Sequence, residues 1–207
     1  MAQSSDLGIN VSRETEGALR AFAALVAKWT RKINLIAPAS DAVIWDRHIR
    51  DSAQLYACAP QNFTHWADLG SGGGFPGLVM AIIAQEKQPA ARFTLIESDQ
   101  RKATFLRTAA RELSLSTTVL AERIEAAAPQ NADIVSARAL APLDGLLGLV
   151  ARHLATDGTA LLPKGRTAAE EIAKARADWS FVLEDRPSIT DPEARILVMQ
   201  RIAAVER

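Results

Sequence analysis

The chain has 207 residues, 48% of them hydrophobic and 23% charged, with 24 basic residues against 24 acidic ones. That length supports one α/β domain with an extension, while zero net charge excludes nucleic-acid binding through bulk charge, so any RNA contact must come from a local basic face. The single cysteine, Cys58, excludes an internal disulfide and a cysteine-rich zinc site, and His48, His65 and His153 lack metal-ligand spacing.

Residues 1 to about 11 read as a flexible tail, and the polar N-terminus has no apolar signal run. The longest apolar stretches, Leu78 to Ala84 among them, are far short of the roughly 20 residues of a membrane span. A cytoplasmic location is expected. Ser12-Arg13-Glu14-Thr15 starts a helix in which Leu19, Phe22, Val26, Trp29 and Ile33 recur at spacings of three and four, one apolar face. The pattern breaks over Asn34 to Pro38. A second helix is predicted from Asp41 to about Ala57, with Ile44, Ile49 and Leu55 or Tyr56 inward. It carries the charged cluster Arg47-His48-Ile49-Arg50-Asp51, ordinarily a solvated helix face.

Strands and helices then alternate. Strands are predicted at 65–69, 92–97, 117–121, 133–136 and 158–164, with helices at 76–86, 99–113, 142–154 and 167–179. Two further strands, 181–184 and 195–202, follow without a helix between them. The alternation argues for a parallel sheet wrapped by helices, and the last pair for an antiparallel hairpin at one edge.

The first strand runs into Asp68-Leu69-Gly70-Ser71-Gly72-Gly73-Gly74-Phe75-Pro76-Gly77. Glycine admits positive φ and lets a ligand approach without a Cβ in the way. Pro76 suits the first turn of a helix, whose free N–H groups and positive dipole end then face the ligand. Gly72, Gly74 and Gly77 fit the dinucleotide pattern G-x-G-x-x-G. Asp68, Gly70, Gly72 and Gly74 equally fit D-x-G-x-G-x-G, the first motif of class I S-adenosylmethionine methyltransferases. A plain tight connection is the third reading.

Glu97 ends the second strand, where an acid can take both hydroxyls of a ribose. Its other reading is a helix N-cap, a role Ser98 and Asp99 already fill. Arg123-Ile124-Glu125 follows the third strand, where backbone N–H groups and an apolar side chain can hold a base; a helix start with surface charges is the other reading. Arg138 ends the fourth strand, beside the expected reaction centre. Its guanidinium matches a ligand carboxylate or an RNA phosphate, and it could equally pair with a core-edge acid such as Asp68. Lys164, at the end of the fifth strand, sits at the same rim, in either a phosphate contact or a solvated loop. Arg101, Lys102, Arg107 and Arg111 are spaced for one broad basic helix face. No Ser-His-Asp set, Cys-His pair or carboxylate pair stands out, and methyl transfer to an unprotonated ring nitrogen needs alignment rather than a general base.

The glycine segment with its Phe-Pro-Gly ending resembles the signature of the RsmG (GidB) family. Asn34-Leu35-Ile36, Arg47 to Ser52, Arg123-Ile124-Glu125, Ser136 to Ala139 and Pro163-Lys164-Gly165 resemble family blocks in the same order, from about residue 15 to the end. The resemblance implies a class I, Rossmann-like methyltransferase fold: a mostly parallel seven-stranded sheet with an antiparallel edge strand. A helical extension, residues 1–60, would precede a cofactor-binding domain, residues 61–207. The cofactor would be S-adenosylmethionine. The product would be 7-methylguanosine in the 530 loop of bacterial 16S rRNA, on the small ribosomal subunit or its assembly intermediate, with no metal and no membrane. The implied cofactor site is Asp68, Gly70, Gly72, Gly74, Phe75, Glu97, Ile124, Glu125 and Arg138, with Arg138 also positioning the reactants. The basic residues Arg47, Arg50, Arg101, Lys102 and Lys164 would meet RNA. The alternatives are a small-molecule methyltransferase, a non-catalytic RNA-binding factor, and a NAD-dependent oxidoreductase. The last lacks a Tyr-Lys or His-Asp arrangement, and Tyr56, the only tyrosine, precedes the glycine segment.

Overall fold

A computed structural model describes residues 7–37 and 40–205; Pro38 of the expected helix break and residues 1–6 of the expected tail lie outside them. Helix α1, Arg13–Thr30, starts at Ser12, whose hydroxyl accepts from the Thr15 amide. Leu19, Phe22 and Val26 of the apolar stripe are fully buried. They share one core with α4, Gly77–Lys87, and α5, Gln100–Glu112. Glu86 of α4 fastens the start of α1, accepting from the Ser12 amide at 2.8 Å and the Thr15 hydroxyl at 2.7 Å.

The expected tail is not free over residues 7–11. Leu7 is fully buried, and Ile9 and Val11 pack on the same core. Gly8, at φ +74°, turns the chain there, and burying these apolar side chains offsets the entropy of ordering the segment.

The predicted second helix exists, but its winding changes along its length. It passes from α2, Asp41–Ile44, through a π-helical stretch, Trp45–Arg50, to α3, Asp51–Ala53, and closes in a 3-10 turn, Gln54–Cys58. Ile44, Ile49 and Leu55 face inward as expected. The π turn carries Arg47, His48 and Arg50, and such wide turns recur at functional sites.

Seven strands form one sheet in the order β3-β2-β1-β4-β5-β7-β6. They are β1 His65–Leu69, β2 Arg92–Ile96, β3 Thr117–Leu120, β4 Ala132–Ala137, β5 Leu154–Lys164, β6 Trp179–Pro187 and β7 Arg195–Ala204. β1 to β5 are parallel; β7 runs antiparallel to both β5 and β6. The edge hairpin is therefore present, with the reversed strand one place in from the rim. Helices α6, Leu143–His153, and α7, Ala168–Ala175, complete the fold. α7 is shorter than predicted because Trp179 opens β6 opposite Ala204.

Each face of the sheet has its own core. α1, α4 and α5 cover one face, and α6 covers the other with Leu143, Leu146, Leu147 and Val150. Strand order reverses between β1 and β4, whose ends lie side by side, Leu69 opposite Ala137. An open α/β sheet places its ligand crevice at such a point.

Candidate functional site

The glycine segment leaves β1 at the switch point. Gly70, Gly72 and Gly74 have φ of +67°, +53° and +85°, the left-handed region that favours glycine. Pro76 immediately precedes α4. The turn is held from beneath by Asp68, which is almost fully buried. Its Oδ1 accepts from the Ser136 hydroxyl at 2.6 Å, and its Oδ2 from the Gly77 amide at 3.2 Å. Ser136 in turn accepts from the Trp66 indole at 2.8 Å. Burial pushes the Asp68 carboxyl up to about 6, against the pull of the Ser136, Ser71 and Gly77 hydrogen bonds. Asp68 thus braces the turn and does not face a cleft.

Glu97 follows β2 and is nearly buried. One oxygen accepts from the Gly72 amide and the other from the Asp99 amide, both at 2.8 Å. Asp99 is the N-cap of α5, with Oδ1 accepting from the Arg101 and Lys102 amides. The acid ties the glycine turn to the start of α5, and each oxygen retains a second lone pair.

Arg138 leaves β4 across from the glycine turn. Its acid partner is Asp51 at 3.2 Å, not Asp68. Its guanidinium also donates to the Arg47 carbonyl at 3.2 Å and to His48 Nδ1 at 3.0 Å. Asp68 lies behind the glycine turn with its lone pairs directed to Ser136 and Gly77, whereas the π turn brings Asp51 to the cleft. The guanidinium also sits 5.2 Å from the Phe75 ring centre. Phe75 stacks on His48 at 5.0 Å and tilts against Phe22 of α1 at 5.3 Å. Burial, then the charge of Arg138, lowers His48 to about 4, so it is neutral at pH 7. A neutral ring that accepts at Nδ1 carries its proton on Nε2.

Two clefts meet at His48, Arg138 and Ala139. One, of about 500 Å³, is walled by Gly70, Ser71, Gly72, Gly73, Phe75 and Lys102. The other, of about 850 Å³, opens toward Arg47, Arg50, Lys164 and the 190–194 turn. The 138–142 segment lines the larger cleft, and its first two residues line the smaller one as well. Ala139 takes φ of +52°, unusual for a residue with a Cβ, and Leu140 sits against Gly70, where a Cβ would stand 2.7 Å from Leu140 Cδ1.

The structure places the remaining candidates unevenly. Ile124 is buried in the other core, and its carbonyl accepts from His153 Nε2 at 3.0 Å; Glu125 beside it is exposed. Neither lines the two clefts. Arg47 and Arg101 are exposed, Arg50 pairs with Asp46, and Arg101 reaches Asp99 at 3.4 Å. Lys164 is no solvated loop cation, since its ammonium donates to Glu171 and to the Ala141 carbonyl, both at 2.8 Å. Sequence reasoning gave no site role to Asp51, His48, Ser136 or Leu140. The first two sat in a charge cluster with the pattern of a solvated helix face, and nothing local marked them. Among the described residues no group of three or more histidine, cysteine or acidic side chains is arranged for a metal, and no helix is long and apolar enough to cross a membrane.

Residues 15–195 match the family described as rRNA small subunit methyltransferase G. A Cereibacter sphaeroides protein named ribosomal RNA small subunit methyltransferase G is 56% identical over 197 residues, 95% of each chain. Among solved structures, a methyltransferase from Geobacter sulfurreducens aligns with a TM-score of 0.59 at 14% identity, covering 87% of this chain and 88% of that one. The M. jannaschii TYW2 structure, in complex with AdoMet, aligns with a TM-score of 0.55 at 14% identity, over 77% of this chain and 76% of that one. These two likenesses are of fold, and the fold is that of the class I methyltransferases.

Proposed function

The chain belongs to the rRNA small subunit methyltransferase G family, and on that premise we propose that it methylates N7 of a guanine in the 530 loop of 16S rRNA. At the coarser level it is an S-adenosylmethionine-dependent methyltransferase of small-subunit ribosomal RNA. The observation that carries the N7 reading is the state of the two bases at the cleft junction. His48 Nδ1 and Asp51 are both taken up by Arg138. Both therefore face a cation rather than a ligand proton. Guanine N7 carries a lone pair and no proton, so its methylation asks for alignment alone.

The residues present fit the cofactor. The cleft against the glycine turn, about 500 Å³, lies within the usual range of roughly 300–1,000 Å³ for a small-molecule site. S-adenosylmethionine, when bound, supplies a methyl group already activated by its sulfonium. The positive-φ glycines bring backbone close to the ligand without side chains between. Glu97, fixed by Gly72 and Asp99, offers its second lone pairs to the ribose hydroxyls. Gly70, Gly72 and Phe75 form the wall, Gly74 turns the backbone behind it against Leu78 and Phe22, Asp68 braces it from below, and Ile124 and Glu125 belong to the adenine side. Arg138 orients the reactants where the clefts meet. In this reading a helical extension, residues 1–60, precedes the domain that binds the methyl donor, residues 61–207. Arg47, Arg50, Arg101, Lys102 and Lys164 supply the basic rim, with Lys164 acting through its hold on Glu171.

The test is methyl transfer from labelled S-adenosylmethionine to small subunits from a strain lacking this gene, with the product nucleotide mapped. The expected result is label on N7 of one guanine in the 530 loop. Label at an exocyclic or Watson–Crick nitrogen, or no label on RNA, overturns the reading.

A further inference from the structure

We propose that His48 and Asp51 are positioning residues that hold the Arg138 guanidinium at the junction of the two clefts. The inference rests on the methyl-transfer reading above and adds to it a role for the helical segment ahead of the sheet. Arginine has five N–H donors in a planar fork. Three are engaged here: two on one terminal nitrogen, to Asp51 and the Arg47 carbonyl, and one on the other, to His48 Nδ1. The remaining donors are left for a ligand. An unpaired arginine samples many rotamers, and three fixed acceptors select one before the ligand arrives.

The acceptors are themselves held. Asp51 Oδ2 accepts from Arg138, while Oδ1 accepts from the Thr190 hydroxyl at 2.9 Å and from Gln54 Nε2 at 3.0 Å. Gln54 Oε1 takes the Ile189 amide at 2.9 Å. The turn between β6 and β7 is therefore locked to the helical segment and fixes the face that Asp51 shows to Arg138. His48 is fixed by its stack on Phe75, within the glycine segment. One contact set thus joins the helical segment, the glycine turn, the end of β4 and the distant edge hairpin. A solvated salt bridge would hold the guanidinium by one acid alone; here a backbone carbonyl and a neutral imidazole hold it as well.

The test uses the full chain and two independent readouts. In the first, methyl transfer to small subunits is measured for His48→Leu, His48→Asn, Asp51→Asn, Arg138→Ala and the double variants with Arg138→Ala. His48→Leu and Asp51→Asn are expected to lower kcat about tenfold or more, with KM for the subunit little changed. His48→Asn, whose side-chain oxygen can stand where Nδ1 stood, is expected to recover most of the rate. Neither substitution should lower the rate further once Arg138 is alanine. Losses that multiply in the double variants overturn the proposal. In the second readout, imidazole ¹⁵N NMR follows His48 from pH 4 to 8 without substrate or cofactor. Wild type should show a neutral ring protonated on Nε2 over most of that range, and Arg138→Ala should raise the midpoint. An unmoved midpoint also overturns the proposal. If wild-type protein fails to methylate small subunits, the functional reading falls by itself, and the NMR arm still decides whether the clamp exists.

Discussion

The Gly77 amide donates to the buried Asp68 carboxylate across a contact that leaves no room for a Cβ on residue 77. The Asp68 carboxylate accepts from the Gly77 amide at 3.2 Å, and a Cβ on Gly77 would lie 2.7 Å from that oxygen and 2.4 Å from Leu95 Cδ2. The last glycine of the motif is thus a packing requirement between the first turn of α4 and the end of β1.

Gly77→Ala is therefore expected to destabilise the protein, although alanine is the better helix former by roughly 1 kcal/mol. Leu95 and Asp68 are both buried, and Asp68 is pinned by Ser136, so neither can yield freely. Overpacking of this kind costs about 1–3 kcal/mol. Urea unfolding should show a lower midpoint at an unchanged slope. Equal or greater stability would show that the contact can relax.

The raised carboxyl of Asp68 gives stability a pH dependence of defined sign. Its folded value is about 6 against 3.8 for the free group. The folded state keeps a proton that the unfolded chain releases, so the contribution is fully present below pH 3.8 and is lost as pH rises through 6. The full effect is about 3 kcal/mol. His48 acts in the opposite sense, because burial depresses it from 6.5 to about 4 and its contribution is lost as pH falls. Comparing wild type with Asp68→Asn from pH 4 to 7 isolates the first. The difference in unfolding free energy should shift against wild type as pH rises, and a difference independent of pH contradicts the assignment.

S-adenosylhomocysteine is expected to raise the melting temperature, and NAD is not. A ligand at a hundred times its Kd stabilises the native state by about 2.7 kcal/mol. Glu97→Ala should weaken that binding in calorimetry and also lower stability, because the Gly72 and Asp99 amides lose their acceptor. Hydrogen bonds to a charged group contribute roughly 1.5–3 kcal/mol. Lower stability with unchanged affinity would leave Glu97 as a brace for the turn alone.

RNA affinity should fall steeply with salt. Each phosphate contact gives a log–log slope of about −0.7 to −0.9. Charge reversal at Arg47 and Arg101, both exposed, should flatten the slope by about two contacts and leave S-adenosylhomocysteine binding intact. Lys164→Met should behave differently and destabilise the fold by roughly 1.5–3 kcal/mol, since it leaves Glu171 without its cation. A salt response that is flat in wild type removes the phosphate-tracking surface.

What the sequence by itself determined is what short-range pattern encodes. The stripe of α1, the alternation of strands and helices, the closing hairpin and the glycine turn at the end of β1 all follow from spacing and residue type within a few positions. The candidacy of Glu97 and Arg138 followed too, because the ends of parallel strands share one rim. Only the tertiary structure decided which groups those residues meet. Arg138 and Asp51 stand 87 positions apart, and Asp51 and Thr190 stand 139 apart. No local pattern separates an acid on a solvated helix face from one that the π turn aims into a cleft. Lys164 and Glu171 are only seven positions apart, yet they meet across the rim because α7 folds back over the end of β5. Pairing of charged groups depends on the angle at which whole elements dock, and the packing of both sheet faces sets that angle.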